Sequence, residues 1–541
     1  MNTHAPAPAS PGRAQIDPDV YPSIVAMAEE AMARFAPLPA FRSFDQVLTY
    51  GEVERLSRHF AAFLQKRAGV EKGDRVAMMC PNILAFPVGM LGILRAGAIQ
   101  VNVNPQYTAR ELAYQLNDAD AKTIVIFAQS LPTLSEVIAD TGIKRVIVAQ
   151  ARDCGGDADP PGDAAPITGG ERFMDAIAEG AALTFDPVGL TGDDGLFLQY
   201  TGGTTGLSKG ASLSHRNMVA NIEQFKAMMP AALRPGEEVA VTALPLYHIF
   251  ALMMNLLSYF SIGAVNYLIR DPRNMDEFVE QIMTARFSIF TGVNTLFNGL
   301  VMHPRFKDVD FSNYRMSVGG GSAILPSTSD KWRVFTGQPI REGYGLSEAS
   351  PLVSVNPMSE PEFTETVGLP VPNTDIKLLR DDGTEAPGGE AGELCVRGPQ
   401  VMSGYWRQPE ANAEAFTEDG FLRTGDVAVL DEAGRVKIVD RKKDMILVSG
   451  FNVFPNEIEA VAAAHPGVAE CACCGVPDEQ TGEAVRLFVV RAAGGELGAE
   501  EIIAHCRKDL TAYKVPKQVE FLDSLPKSTV GKILRRELRK R

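Results

Sequence analysis

The chain has 541 residues, more than one hydrophobic core usually supports, so at least two domains are expected. Its composition, 45% hydrophobic and 22% charged, is that of a globular protein, and a net charge of −15 argues against a general nucleic-acid binder, which needs a basic face. Seven cysteines in this length give no disulfide framework and suit a reducing compartment.

Residues 1–19, rich in Ala and Pro without an apolar core of signal-peptide length, read as a disordered lead. From Gly73 the pattern alternates. Strands are predicted at 75–79, 98–102, 123–127 and 145–148, with an apolar helix at 85–95 and a helix opened by the capping box Thr108–Glu111. Such alternation predicts a parallel sheet covered on both faces. Residues 151–170, full of Gly, Pro and Asp, read as a surface loop.

Strand 196–200 then leads into Thr201-Gly-Gly-Thr-Thr-Gly-Leu-Ser-Lys209, followed by a second strand at 211–215. Glycines and threonines in this density let backbone N–H groups converge on an anion, and Lys209 adds a positive charge. Phosphate is the expected guest; a ligand-free Gly/Thr hairpin is the competing reading. A Walker loop is excluded, because it needs Gly-Lys-Ser/Thr opening directly into a helix.

Residues 239–269 carry no formal charge and are long enough to span a bilayer. Pro245, His248, Asn255 and Gly263 interrupt the run, so a buried helix at 250–261 and a buried strand at 264–269 are preferred to a span. A strand at 288–293, a helix at 294–302 and a strand ending in Gly319-Gly-Gly321 follow. Bare backbone at a strand end can receive a flat ring.

Glu342-Gly-Tyr-Gly-Leu-Ser-Glu348 places an aromatic ring between glycines, with a hydroxyl (Ser347) and a carboxylate (Glu348) as hard oxygen ligands suited to Mg²⁺. Residues 367–439 change to short strands and turns, a β-rich subdomain in which Thr424-Gly-Asp426 sets a carboxylate able to accept both hydroxyls of a ribose. A charged knot, 440–444, precedes a compact α+β unit of about a hundred residues. The Cys471–Cys474 cluster lacks paired CxxC spacing and reads as a buried strand rather than a metal site. Lys532 follows Gly531 on an expected exposed loop before a short basic helix.

Together, the phosphate loop, Leu244-Pro-Leu-Tyr-His248, Gly319-Gly-Gly321, Tyr344-Gly-Leu-Ser-Glu348, Thr424-Gly-Asp426, Asp440-Arg441 and Lys532 resemble, in order and approximate spacing, the adenylate-forming superfamily. Residues 420–443, 440–455 and 526–536 are similar to bacterial long-chain fatty-acid–CoA ligases. The resemblance implies an α/β protein: an N-terminal domain (20–440) of two α/β sheets and a β-barrel, and a small mobile α+β domain (441–541) hinged near Lys443. It implies a ligase that forms acyl-AMP from a fatty acid and ATP, releases pyrophosphate, and transfers the acyl group to CoA.

By the same resemblance, Thr201, Gly202, Gly203, Thr204, Thr205, Gly206 and Lys209 hold the phosphates, and Thr204 with Glu348 positions Mg²⁺. Gly321, Glu342, Gly343 and Tyr344 frame adenine, with Ser347 beside them. Asp426 and Arg441 take the ribose, Gly450 lines the pantetheine tunnel, Lys532 bridges carboxylate and α-phosphate, and His248 gates the acyl pocket. Ser347 stands where threonine is usual and Leu447 where lysine is frequent. Medium-chain or aryl acids, and a membrane-embedded fatty-acid carrier, remain alternatives. A cytoplasmic enzyme, with peripheral membrane contact and a homodimer left open, is the expectation.

Overall fold

The computed structural model describes residues 15–155, 170–201, 208–492, 496–528 and 531–541. Seven strands form the first sheet, in the order Gly170–Arg172, Arg145–Ala149, Thr123–Phe127, Arg75–Met79, Ile99–Asn102, Gly195–Thr201 and Lys209–Ser214. All neighbours are parallel except the last pair, whose antiparallel register sets Thr201 opposite Lys209. The two ends of the phosphate loop therefore leave the sheet side by side; Gly202–Leu207, including Thr204, lie outside the described residues.

The second sheet has nine strands, in the order Leu369–Pro370, Leu352–Val355, Ile340–Gly345, Met316–Gly319, Ile289–Gly292, Val239–Thr242, Val265–Leu268, Pro39–Ser43 and Gln46–Thr49. Its centre is parallel and both edges are antiparallel. Helices Ala85–Arg95 and His215–Met228 contribute to one large apolar core together with strands of both sheets. Asn82, just past the strand Arg75–Met79, stitches the sheets: its amide donates to the carbonyls of Thr242, Leu244 and Ile269, and its oxygen accepts from Leu246 N.

The uncharged run 239–269 is not a span. It splits into strands Val239–Thr242 and Val265–Leu268 around one helical turn, Ile249–Ala251, that continues as a π-helix over Leu252–Ser258. The sequence predicts an α-helix here; widened turns let the buried Asn255 donate to Val241 O and accept from Thr291 Oγ1 at 2.6 Å. Among the described residues no helix is long and apolar enough to cross a membrane.

The β-rich segment is a four-stranded antiparallel sheet, Asp375–Leu379, Gly392–Arg397, Leu422–Leu430 and Val436–Arg441. Hydrogen bonds from Val367 N to Val436 O and from Val436 N to Gly368 O continue its edge towards the second sheet. Beyond Arg441 a five-stranded sheet carries helices Pro455–Ala463 and Ala499–Asp509, with its own core around Ile446, Ile458, Leu487 and Ile502. Cys471, Cys473 and Cys474 are buried in its strand Val468–Asp478, as the sequence suggests.

One expectation fails at the start of the chain. Ile16 exchanges backbone hydrogen bonds with the Asn373 side chain, and Asp19 pairs with Arg216 at 2.6 Å, so 15–19 are anchored rather than a disordered lead. Residues 1–14 lie outside the described part.

Candidate active site

Helix Ala109–Asp118 braces both shoulders of the phosphate loop. Its Tyr114 hydroxyl donates to Ser208 O at 3.0 Å, and its Asp118 carboxylate accepts from Tyr200 OH at 2.5 Å. The helix starts at the predicted capping box, with Thr108 and Glu111 reciprocally bonded. Lys209 Nζ lies 5.2 Å from the centre of the Tyr405 ring, and the Tyr405 hydroxyl donates to Glu348 Oε1 at 2.8 Å. A cation of the loop and the candidate metal carboxylate thus share one aromatic neighbour.

Strand Ile340–Gly345 presents the next group. Glu342 is buried, with its carboxylate accepting from Ile324 N at 2.8 Å, and desolvation pushes it up to about 8. It is a neutral carboxyl at neutral pH, so it serves this surface without a negative charge. Gly321 is exposed at φ +75°, a conformation glycine adopts without strain, and opens the surface beside it. Gly345 is required by space, since a Cβ there would meet Pro351 O at 2.2 Å.

Tyr344 is where two separate motifs meet. Its hydroxyl donates to Asp426 Oδ2 at 2.6 Å, and Arg441 Nε stands 3.4 Å from Asp426 Oδ1. Asp426 faces Arg441 because the strands Leu422–Leu430 and Val436–Arg441 pair them directly. An aromatic face, an acid and a guanidinium in a row suit a purine nucleoside, the acid for ribose hydroxyls.

Lys532 is not on an exposed loop. It is half-buried, in a tight turn where Ser528 N donates to Lys532 O at 2.7 Å, and the Thr295 hydroxyl of the large domain donates to Gly531 O at 3.3 Å. Burial, then the positive charge of Arg441, lowers its ammonium to about 7, against the opposing pull of Asp426. His248 stands within its field: burial first, and Lys532 second, hold that imidazole down to about 4, so it is neutral. The charge of one sequence candidate thus reaches the other, 284 positions away by number (532 less 248).

Lys443 and Gly450 are both exposed and lie on the small domain's side of the boundary. Lys443 is in the turn where Asp444 N and Met445 N donate to Arg441 O. Gly450, at φ +84°, forms the tip of the hairpin Ile446–Val448/Phe451–Val453. The large and small domains also touch through Asp440, whose carboxylate accepts from Asn456 N at 2.8 Å.

Among the described residues no cluster of three or more His, Cys, Asp or Glu could hold a metal. Magnesium bound to a nucleotide takes most of its ligands from phosphates and water, and one or two from carboxylates. Glu348, oriented by Tyr405 and beside the phosphate loop's cation, fits that requirement. Sequence reasoning passed over Tyr405, Thr295 and Arg535; only the Gly404-Tyr-Trp406 aromatic pair left a local trace.

The family model described as AMP-binding enzyme matches residues 28–406, and that for the AMP-binding enzyme C-terminal domain matches 457–532. The chain belongs to the AMP-binding enzyme family. It is 49% identical to the long-chain-fatty-acid–CoA ligase of Escherichia coli O6:H1, over 97% of this chain and 95% of that one. The same-named enzyme of Salmonella typhimurium is 50% identical over 97% of this chain and 96% of its own. Among solved structures, ATP-bound MatB from Rhodopseudomonas palustris superposes with a TM-score of 0.84 at 29% identity, covering 95% of this chain and 98% of that one. The two matched segments fall on the two parts of the fold that meet at Lys532.

Proposed function

We infer that this AMP-binding enzyme joins a long-chain fatty acid to CoA through an acyl-adenylate, with release of AMP and pyrophosphate. The observation that carries the reading is near-50% identity, along 97% of the chain, to enzymes named for that reaction. The geometry supports the first half-reaction. Lys532 follows Gly531, which the small domain sets against Thr295, and its charge acts on His248 while that of Asp426 acts on it.

A carboxylate that attacks the α-phosphate brings two anions together, so the site must offset repulsion and hold the line of attack. Lys532 neutralises the oxygens at the point of reaction, and Lys209 holds the departing phosphates. Asp426, Arg441 and Tyr344 fix the nucleoside. Glu348, with Thr204, would hold Mg²⁺, which would supply charge neutralisation on the phosphates. Neutral His248 and the start of helix Asn294–Met302 border the acid's end, with the apolar residues Ile249, Leu252, Met253, Leu256 and Leu257 behind them. In the second half-reaction the small domain turns about Lys443, and Gly450 replaces Lys532 at the site so that pantetheine can enter.

A need for ATP and CoA supports a cytoplasmic enzyme, and a substrate that partitions into lipid supports peripheral contact at the membrane face. Release of AMP and pyrophosphate across a panel of acids tests the substrate. Each added methylene should raise kcat/KM several-fold until a plateau, at about 0.8 kcal/mol per buried CH₂. A profile that peaks at benzoate-like acids, or one flat with length, moves the reading to an aryl or short-chain ligase.

A further inference from the structure

Tyr405 belongs to none of the motifs that announce the site, yet its place is strongly determined. The segment Gly404–Trp406 runs beside strand Lys209–Ser214, with Ser212 N donating to Gly404 O at 2.9 Å and Trp406 N donating to Gly210 O at 2.8 Å. Tyr405 faces Ala211 in an antiparallel bridge. Asn412 then closes both backbone groups of Tyr405, accepting from its N–H at 2.6 Å and donating to its carbonyl at 3.1 Å. The indole of Trp406 donates to Asp118 O, the same residue whose carboxylate receives Tyr200. A surface turn with no task would not need its backbone held from three sides.

The side chain lies between two charges. Its hydroxyl donates to Glu348 Oε1 at 2.8 Å, and its ring lies under Lys209 Nζ, 5.2 Å from the centroid. Burial, and then the Glu348 charge, push the phenol well up, so it remains a donor. A donor fixed to a rigid backbone limits how a carboxylate rotates, and partners of metal-ligating carboxylates act in this way. The ring face attracts the ammonium. The backbone of Glu348 is tied to the same stretch, since Met402 N donates to Glu348 O at 2.7 Å.

We propose that Tyr405 is a positioning residue that sets the Glu348 carboxylate and the Lys209 ammonium in one fixed relation before the metal–nucleotide complex arrives. The inference rests on the reading of Glu348 as a metal ligand. It concerns the hydroxyl for Glu348 and the ring for Lys209, and these can be separated.

The test uses the full chain with Tyr405→Phe, Tyr405→Leu and Glu348→Gln, and reads binding without turnover. Mn²⁺ with α,β-methylene-ATP is titrated by water-proton relaxation, AMP and pyrophosphate are titrated without metal, and Tm is recorded for each variant. Tyr405→Phe should weaken the Mn²⁺–nucleotide complex by about 10- to 100-fold while metal-free AMP and pyrophosphate stay within about twofold. Tyr405→Leu should lose pyrophosphate affinity as well, because Lys209 then has no ring beneath it. If Glu348→Gln weakens Mn²⁺–nucleotide binding and Tyr405→Phe does not, the role of Tyr405 is wrong while the metal reading stands. Should Glu348→Gln leave that binding unchanged, the metal reading falls and this inference with it. Equal losses for all ligands in Tyr405→Phe, with a lowered Tm, would make Tyr405 a packing residue and also overturn the proposal.

Discussion

The Thr295 hydroxyl donates to the Gly531 carbonyl at 3.3 Å, so the large domain holds the small domain's tail one residue before Lys532. On the proposed reading Lys532 acts in adenylation, and this contact then belongs to the adenylating arrangement. Lys532→Ala should lose adenylation by about two to four orders of magnitude, as for loss of a charged transition-state contact. Thioester formation from supplied acyl-AMP should stay within about tenfold, because AMP is already a good leaving group. Equal loss in both half-reactions, followed by pyrophosphate release and by CoA thioester formation, would count against a rotating small domain.

Glu348→Ala should abolish acyl-AMP formation while leaving the thermal transition nearly in place. The carboxylate's described partner is the Tyr405 hydroxyl, and its packing contribution is small. Turnover that is unchanged at saturating Mg²⁺ would remove Glu348 from the site.

Glu342 makes a pH prediction. Its folded-state value of about 8 stands above the ordinary 4.5, so the native state holds a proton that the unfolded chain gives up. Its contribution to stability is full below about pH 4.5 and is lost as pH rises through 8, amounting to a few kcal/mol. Glu342→Gln keeps an acceptor for Ile324 N and has no proton to lose. In nucleotide-free protein, the Tm advantage of the variant over the wild type should grow from pH 5 to pH 8. Parallel Tm–pH curves would show that Glu342 is ionised in the folded state.

Arg535, three residues beyond Lys532, binds Asn456 Oδ1 at 2.7 Å and Glu459 Oε2 at 2.6 Å, and stands 3.7 Å from Asp444. It therefore ties the tail to the first helix of the small domain and to the turn after Lys443. Arg535→Met leaves Glu459 without its cation in a largely buried place, and should cost about 3–5 kcal/mol in the small domain. Chemical unfolding followed separately in the two domains checks this: the large domain's midpoint should not move. Adenylation should fall with the small domain's order.

Much of this protein was readable in the chain itself. Short, nearly continuous apolar runs between helical patterns placed the strands of the first sheet, because a buried parallel strand has to be apolar on both faces. The need for glycine at Gly345 was legible because a close approach of two backbones excludes a side chain. The Thr108–Glu111 capping box was likewise visible, being a bond within four residues.

What the sequence by itself could not determine depended on distance along the chain. That Tyr344 holds Asp426, that Tyr405 lies between Glu348 and Lys209, and that Thr295 holds Gly531 all join residues from different elements. A hydrogen bond or a field acts over a few ångströms, whatever the separation in sequence, and no local pattern records which distant elements a sheet order brings together. The π-helical turn at Leu252–Ser258 is a case of the same kind: local propensity favours an α-helix, and a buried Asn255 that bonds to two neighbouring strands is satisfied only in the assembled fold.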